Sequence, residues 1–64
     1  MANTWQVQAT MECSRADFEA SAALSFRRVE QSHGVSLKPF QYSVRTMPTK
    51  DGVQDVHFAV AEEV

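Results

Sequence analysis

The side chains that could do chemistry in this sequence are few: one cysteine, two histidines and a scattering of carboxylates. Asp55 and His57 stand two residues apart in a stretch that alternates like a β-strand, so both are predicted to point to the same face. Residues so placed are about 6.5 Å apart, which is too far for an aspartate to orient the imidazole ring. The spacing favours a surface histidine among polar neighbours, with Ser43 or Arg45 near it on the adjacent strand, over an acid–base pair.

Cys13 stands just before the predicted helix, a position at which reactive cysteines occur. Such a cysteine needs a nearby base or a second cysteine, but the chain has one cysteine, and His33 lies at the other end of the helix. The histidines and the cysteine lack the spacing typical of zinc sites, and the two glycines stand too far apart for a phosphate-binding loop. We therefore predict a non-enzymatic protein with no metal site and no cofactor, in which Cys13 is a passive thiol.

Length and charge narrow the class of protein. Residues 1–64 make one small domain, and a chain this short buries only about 60% of its unfolded surface, so partner subunits often complete the core. A single cysteine excludes an internal disulfide, which favours a reducing, cytoplasmic location. No signal peptide or membrane span is predicted. The net charge of −2 makes nucleic acid an unfavourable partner.

One amphipathic helix organises the predicted fold. Between Phe18 and His33 apolar residues recur on one side at helical spacing. Ser14 is the predicted N-cap, because its hydroxyl can accept a hydrogen bond from an N–H group of the first turn. Gly34 is the predicted left-handed stop. The middle of the helix is rich in alanine and serine, so it can approach a sheet closely.

Three segments alternate between apolar and polar residues as strands do. They are predicted at residues 4–12, 40–47 and 53–61. Residues 48–52 form the turn between the last two, because proline initiates turns and Asp-Gly accepts positive φ. Pro39 marks either a bulge or the true start of the second strand, since proline cannot donate to a ladder.

The predicted fold class is α+β, with the element order β-α-β-β. A three-stranded antiparallel sheet of order 1-3-2 carries the helix on one face, because the prolines beside the second strand suit a sheet edge. The predicted core consists of Trp5, Val7, Met11, Phe18, Ala22, Phe26, Val29, Phe40, Tyr42, Val44, Val56, Phe58 and Val60.

The sheet face away from the helix is the predicted functional surface. It is polar or small yet nearly uncharged, whereas a face left to water usually carries more lysine and glutamate. The candidate interaction face comprises Gln6, Gln8, Thr10, Gln41, Ser43, Arg45, His57 and Ala59. We predict a binding module that acts through this face or a sheet edge and associates with itself, as a homodimer or larger, or with a larger protein. The alternative is a solvated sheet that happens to be poor in charge.

The β-α-β-β order, the chain length and a helix that begins at a serine after the first strand are similar to the dodecins, small flavin-binding proteins that assemble as shells. The likeness covers most of the chain and includes no motif. Dodecins carry a tryptophan in the second strand that stacks on the flavin, where this sequence has Phe40 and Tyr42. The resemblance implies a second hypothesis, a small-ligand carrier that holds a flat aromatic cofactor between subunits. Packing in the core is the other role open to these two rings and to Trp5.

Overall fold

The computed structural model describes residues 3–64. Its elements are β1 (Thr4–Thr10), α1 (Arg15–His33), β2 (Gln41–Thr49) and β3 (Gly52–Glu62). The strands form one antiparallel sheet of order β1-β3-β2, which confirms the predicted fold class and strand order. Within this range no helix has the length and apolar character needed to cross a membrane. The predicted absence of a signal peptide concerns in part residues 1–2, which lie outside the described range.

Both ends of α1 are capped by the residues that the sequence indicates. The Ser14 hydroxyl accepts a hydrogen bond from a backbone N–H of the first turn at 3.1 Å. Gly34 has a φ of 64°, and its N–H and that of Val35 both donate to the Glu30 carbonyl. The Glu30 carboxylate also accepts a bond from the Leu37 N–H at 2.9 Å. One glutamate therefore fixes the path of the chain as it leaves the helix.

The hairpin between β2 and β3 is tighter than the predicted turn at residues 48–52. Thr49 pairs directly with Gly52, so Lys50 and Asp51 alone connect the strands. Gly52 has a φ of 104°, and no non-glycine residue among residues 3–64 has positive φ. The connection is therefore not a type I′ turn, which needs two such residues; it matches a type I turn closed by a glycine.

A bulge precedes β2. Leu37 bridges Glu63 of the neighbouring strand, whereas the regular pairing of β2 begins at Gln41, so this side of the pair has one residue more than the other. That count defines a β-bulge, and Pro39, which has no N–H, lies within it. Leu37 and Phe40 are three residues apart and would point to opposite faces of a regular strand. The extra residue lets both of them pack against the core under the helix.

The centre of the core lies between α1 and β3. Phe18, Ala22 and Phe26 of the helix meet Ala59 and Ala61 of the strand, and each of the five is 6% exposed or less. The small side chains of β3 make room for the phenylalanine rings, so the helix packs close to the sheet. Around this centre pack partly buried residues: Trp5, Val7, Ala9, Cys13, Leu37, Phe40 and Tyr42.

The prediction for the two faces of β3 is wrong. The sequence pattern placed Val56, Phe58 and Val60 beneath the helix, but the structure places Ala59 and His57 there. Val56 and Phe58 are still buried, on the reverse face of the sheet. The same reversal removes His57 and Ala59 from the face for which they were predicted.

The hairpin connection explains the reversal. Tyr42 pairs with Ala59 and Val44 with His57, and directly opposite residues share a face. A five-residue turn would have set Tyr42 opposite Phe58 instead. A shift of one residue turns every side chain of a strand to the other face, so the shorter connection decides which side of β3 the helix covers.

Two other predicted core residues are exposed. Met11 is 49% exposed because β1 ends at Thr10, before the alternation in the sequence ends. Val44 is 48% exposed although it lies on the helix side of β2, because α1 packs over β1 and β3. The helix therefore covers the sheet unevenly and leaves part of the outer strand β2 uncovered.

Candidate protein-interaction face

The face of the sheet opposite α1 is called the open face. Residues of the outer strands lie on it when they pair with Val56, Phe58 or Val60 of β3, because opposite residues share a face. Its members are Gln6, Gln8, Thr10, Gln41, Ser43, Arg45, Val56, Phe58 and Val60, with Met47 continuing the β2 row. It thus includes every predicted interaction residue except His57 and Ala59.

The middle of the open face is apolar. Val56 and Phe58 are 4% and 5% exposed, and Val60 is half-buried. Phe58 stands between Gln8 on one side and Ser43 on the other. Because α1 lies on the reverse side, the side chains of the flanking strands must supply this shielding. The surface that a partner would contact is therefore formed by these polar, mostly uncharged side chains and by Val60, above an apolar layer of Val56 and Phe58.

Arg45 is the charged residue in the middle of this face. Its guanidinium carbon lies 4.5 Å from the centroid of the Phe58 ring, within the range of a cation–π interaction. Among the ion pairs found within residues 3–64, none includes Arg45, and the residue is exposed. The guanidinium is held over an aromatic ring while it can still donate to a group approaching from outside.

Shallow depressions lie towards both ends of the open face. The one at the hairpin end is about 270 Å³ and is lined by Gln8, Met47 and Val56 among others. The other is about 130 Å³ and is lined by Gln41 and Val60 among others. Both are smaller than the roughly 300–1,000 Å³ typical of small-molecule sites. A third and more open depression, of about 450 Å³, lies between the end of β1 and the hairpin and is lined by Thr10, Met11 and Gln54 among others. They can accept single protruding side chains.

His57 is buried beneath the helix, where it joins β3 to the loop before α1. It is 3% exposed. Its Nε2 donates to the Cys13 carbonyl at 2.8 Å, since a carbonyl can only accept. In the neutral ring Nδ1 then accepts from the Tyr42 hydroxyl, 2.7 Å away. The Phe18 ring stacks on the imidazole, with centroids 5.0 Å apart at an angle of 17°. Both ring nitrogens are therefore used in holding the fold.

The structure separates the residues that could have formed an acid–base pair. Asp55 is exposed and accepts a hydrogen bond from the Thr46 hydroxyl at 2.6 Å. His57 is buried and bonded elsewhere, and its expected neighbours Ser43 and Arg45 lie on the open face. Within residues 3–64 no group of three or more histidine, cysteine, aspartate or glutamate side chains is placed to hold a metal ion.

The aromatic residues considered for cofactor stacking pack in the core. The centroids of the Phe40 and Phe26 rings are 5.5 Å apart. The Tyr42 hydroxyl donates a hydrogen bond to Nδ1 of His57. The Trp5 ring lies 4.8 Å from the ring of His33 at the end of the helix. All three aromatic residues lie on the helix side of the sheet, so none belongs to the open face.

The alternation in the sequence does not predict that Val56, Phe58 and Val60 lie on the open face. Both alternations of β3 contain apolar residues, so periodicity alone does not decide between them. A usable signal lay in size: the phenylalanine rings of the helix need small partners, and only the alternation with Ala59 and Ala61 supplies them. The pairing of strands across a two-residue connection would have given the same answer.

No family model matches the chain, and neither a curated protein nor a solved structure matches it. The likeness to the dodecins therefore remains one of element order and length. Function is therefore inferred from the geometry of the open face and of the sheet edges.

Proposed function

We propose that the protein is a non-enzymatic interaction module whose open face binds the surface of another protein. The observation that carries this proposal is the register of β3, which sets Val56, Phe58 and Val60 in the middle of a polar face. Interfaces between proteins commonly combine an apolar centre with a polar rim and few charged residues at the centre. The depressions near the two ends of the face would accept side chains of the partner.

Arg45 indicates the chemistry of that partner. A guanidinium offers a planar set of N–H donors that matches a carboxylate, and this one is fixed over the Phe58 ring. We expect an apolar patch on the partner with an aspartate or glutamate beside it. The cation–π contact restricts the guanidinium before binding, so less side-chain freedom is lost on association.

The area of the open face predicts transient binding. β1, β2 and β3 have 7, 9 and 11 residues, which at about 3.4 Å each give a mean length of about 31 Å, and three strands at about 4.8 Å give a width of about 14 Å. The face is thus about 430 Å² in plan, below the roughly 800 Å² that each partner contributes to a stable interface. One chain alone would bind weakly.

A protein fits this face better than a polyanion or a flat cofactor does. Nucleic acid is bound by several lysine and arginine contacts, whereas the middle of the open face carries Arg45 alone. A flat cofactor would need an exposed ring, and the rings of Phe40 and Tyr42 lie on the helix side. The proposal includes a cytoplasmic location, supported by the single cysteine of the chain.

The test is affinity capture from the native lysate with matched charge reversals. The wild-type chain and Arg28→Glu, which reverses an exposed charge on the helix, should retain the same partner. Arg45→Glu should lose it, with an affinity at least tenfold weaker for the isolated pair, because it sets a carboxylate against the partner's carboxylate. Circular dichroism checks that both variants fold. If Arg45→Glu retained every captured protein, or if Arg28→Glu lost them equally, the open face would not be the binding surface.

A further inference from the structure

We infer that β1 of one chain pairs with β1 of a second copy, which joins two three-stranded sheets into one continuous sheet about a two-fold axis. Within the described chain β1 pairs with β3 alone, so the backbone groups on its other edge have no strand partner. At the end of this edge the Thr10 carbonyl accepts a hydrogen bond from the Cys13 thiol at 3.6 Å, which leaves its second lone pair for a neighbouring strand. The strand TWQVQAT has no charge, no proline and no glycine. Natural sheets block their edges with charged residues, prolines or bulges, and β1 has none of these three.

The opposite edge of the sheet is protected. β2 contains Arg45 and Pro48, and a bulge containing Pro39 precedes it. A proline offers no N–H to a neighbouring strand, and a charge on an edge discourages pairing. The contrast between the two outer strands selects β1 as the edge that another strand can join.

One hydrogen bond fixes which backbone groups of β1 face outwards. The Asn3 carbonyl accepts from the Glu63 N–H at 3.0 Å, so Asn3 directs its backbone groups towards β3. In an antiparallel pair this direction alternates from residue to residue. The outward-facing residues are therefore Thr4, Gln6, Gln8 and Thr10, which begin and end the strand.

A single register of self-pairing uses all of these groups. With Val7 on the two-fold axis, Thr4 stands opposite Thr10 of the second copy and Gln6 stands opposite its Gln8. This register forms about eight backbone hydrogen bonds, and a shift of two residues reduces them to about six. A shift of one residue sets backbone groups that face outwards against backbone groups that face β3. That register forms no hydrogen bonds between the two strands.

The side chains are complementary in the same register. On the helix side Trp5 stands opposite Ala9 of the second copy, a large residue against a small one, and Val7 stands opposite itself. These three residues are half-buried in the single chain, so the second copy would cover more of them. On the open face, glutamine meets glutamine and threonine meets threonine, which are pairs that can hydrogen-bond. No like charges meet.

The pairing would place the two open faces side by side on the same side of the joined sheet. Two faces of about 430 Å² give about 860 Å², which reaches the roughly 800 Å² per partner of a standard interface. This benefit rests on the proposed function, but the pairing itself does not. It depends only on the edge of β1.

The test introduces charged side chains at Gln6 and Gln8, whose backbone groups face away from β3. Sedimentation and light scattering then measure the mass of the assembly in solution. The wild-type chain should form a dimer of about twice 7.2 kDa. Gln6→Lys/Gln8→Lys sets lysine against lysine and should raise the dimer Kd at least tenfold. Gln6→Lys/Gln8→Glu sets lysine against glutamate and should restore the dimer. In the register shifted by two residues this second variant would set like charges together.

Three results would overturn the inference: a wild-type monomer at millimolar concentration, a Gln6→Lys/Gln8→Lys dimer as strong as the wild type, or a Gln6→Lys/Gln8→Glu monomer. Arg45→Glu separates edge pairing from association through the open face. It should remain dimeric, and its dissociation would assign the dimer to the open face instead. If Arg45→Glu lost a captured partner but remained a dimer, the result would support the proposed function and would leave the edge pairing unaffected.

Discussion

Enlarging Ala59 tests the assignment of the two faces of β3. Ala59 has 0% exposure and belongs to the cluster formed with Phe18, Ala22 and Phe26. The substitution Ala59→Leu adds three carbon atoms between the helix and the sheet. On the open face, where the sequence pattern placed Ala59, the same atoms would meet solvent or polar side chains.

The expected loss of stability is large for a domain of this size. Overpacking a filled core costs about 1–3 kcal/mol. A chain of 64 residues has a total stability of about 3–10 kcal/mol, at about 0.05–0.15 kcal/mol per residue. The melting temperature should fall by about 4–8 °C for each kcal/mol lost.

Urea and thermal unfolding followed by circular dichroism measure this loss. Ala20→Leu is the matched control, because Ala20 is exposed on α1 and a surface change of this kind stays within about 0.5 kcal/mol of the wild type. If Ala59→Leu were as stable as the control, Ala59 would not lie beneath the helix. The open face as defined above would then be wrong.

Two further predictions concern stability measured in the same way. Tyr42→Phe should lower the free energy of unfolding by about 1–3 kcal/mol, because it leaves the buried Nδ1 of His57 without a partner; an unchanged stability would refute that hydrogen bond. Gly34→Ala should cost about 1–2 kcal/mol from the left-handed backbone alone, since an added Cβ would meet nothing within 4 Å. Gly34→Asn should cost less, because asparagine tolerates this conformation, and equal losses for both variants would contradict the cap.

The parts of the fold that the sequence predicted depend on local chemistry. Ser14 and Gly34 are recognised by side-chain type and position at the ends of one apolar periodicity, and the structure shows both as caps. The strand order followed from Pro39 and Pro48, which mark the second strand as an edge. Each of these inferences needs only residues that are close together in the chain.

The faces of β3 could not be predicted in this way, because they depend on the length of one connection. Proline at residue 48 was counted as turn, but the structure pairs Pro48 with Val53 inside the hairpin. Both alternations of β3 contain apolar residues, so periodicity alone did not oppose the wrong choice; the small size of Ala59 and Ala61 was the signal against it. Because of this error His57 and Ala59 are predicted on the open face, and Phe58 is predicted beneath the helix.

The role of His57 was also beyond the sequence pattern. Its hydrogen-bond partners, Tyr42 and Cys13, lie 15 and 44 residues away. A histidine between a valine and a phenylalanine has no local feature that marks it as a residue that connects two parts of the fold. The pairing of β2 with β3 sets Tyr42 beside His57, and the connection between β1 and α1 brings the Cys13 carbonyl to the other ring nitrogen.

The unequal edges of the sheet also limit the size of any assembly. A subunit that offers the same kind of contact on two sides can add copies without end and grow into filaments. Here Pro48 and the bulge at Pro39 prevent the β2 edge from pairing with another strand. A dimer formed by pairing of two β1 strands would therefore have no free edge to which further copies could add. If β1 pairs as inferred, replacing both Pro39 and Pro48 is expected to allow open-ended polymerisation through β2.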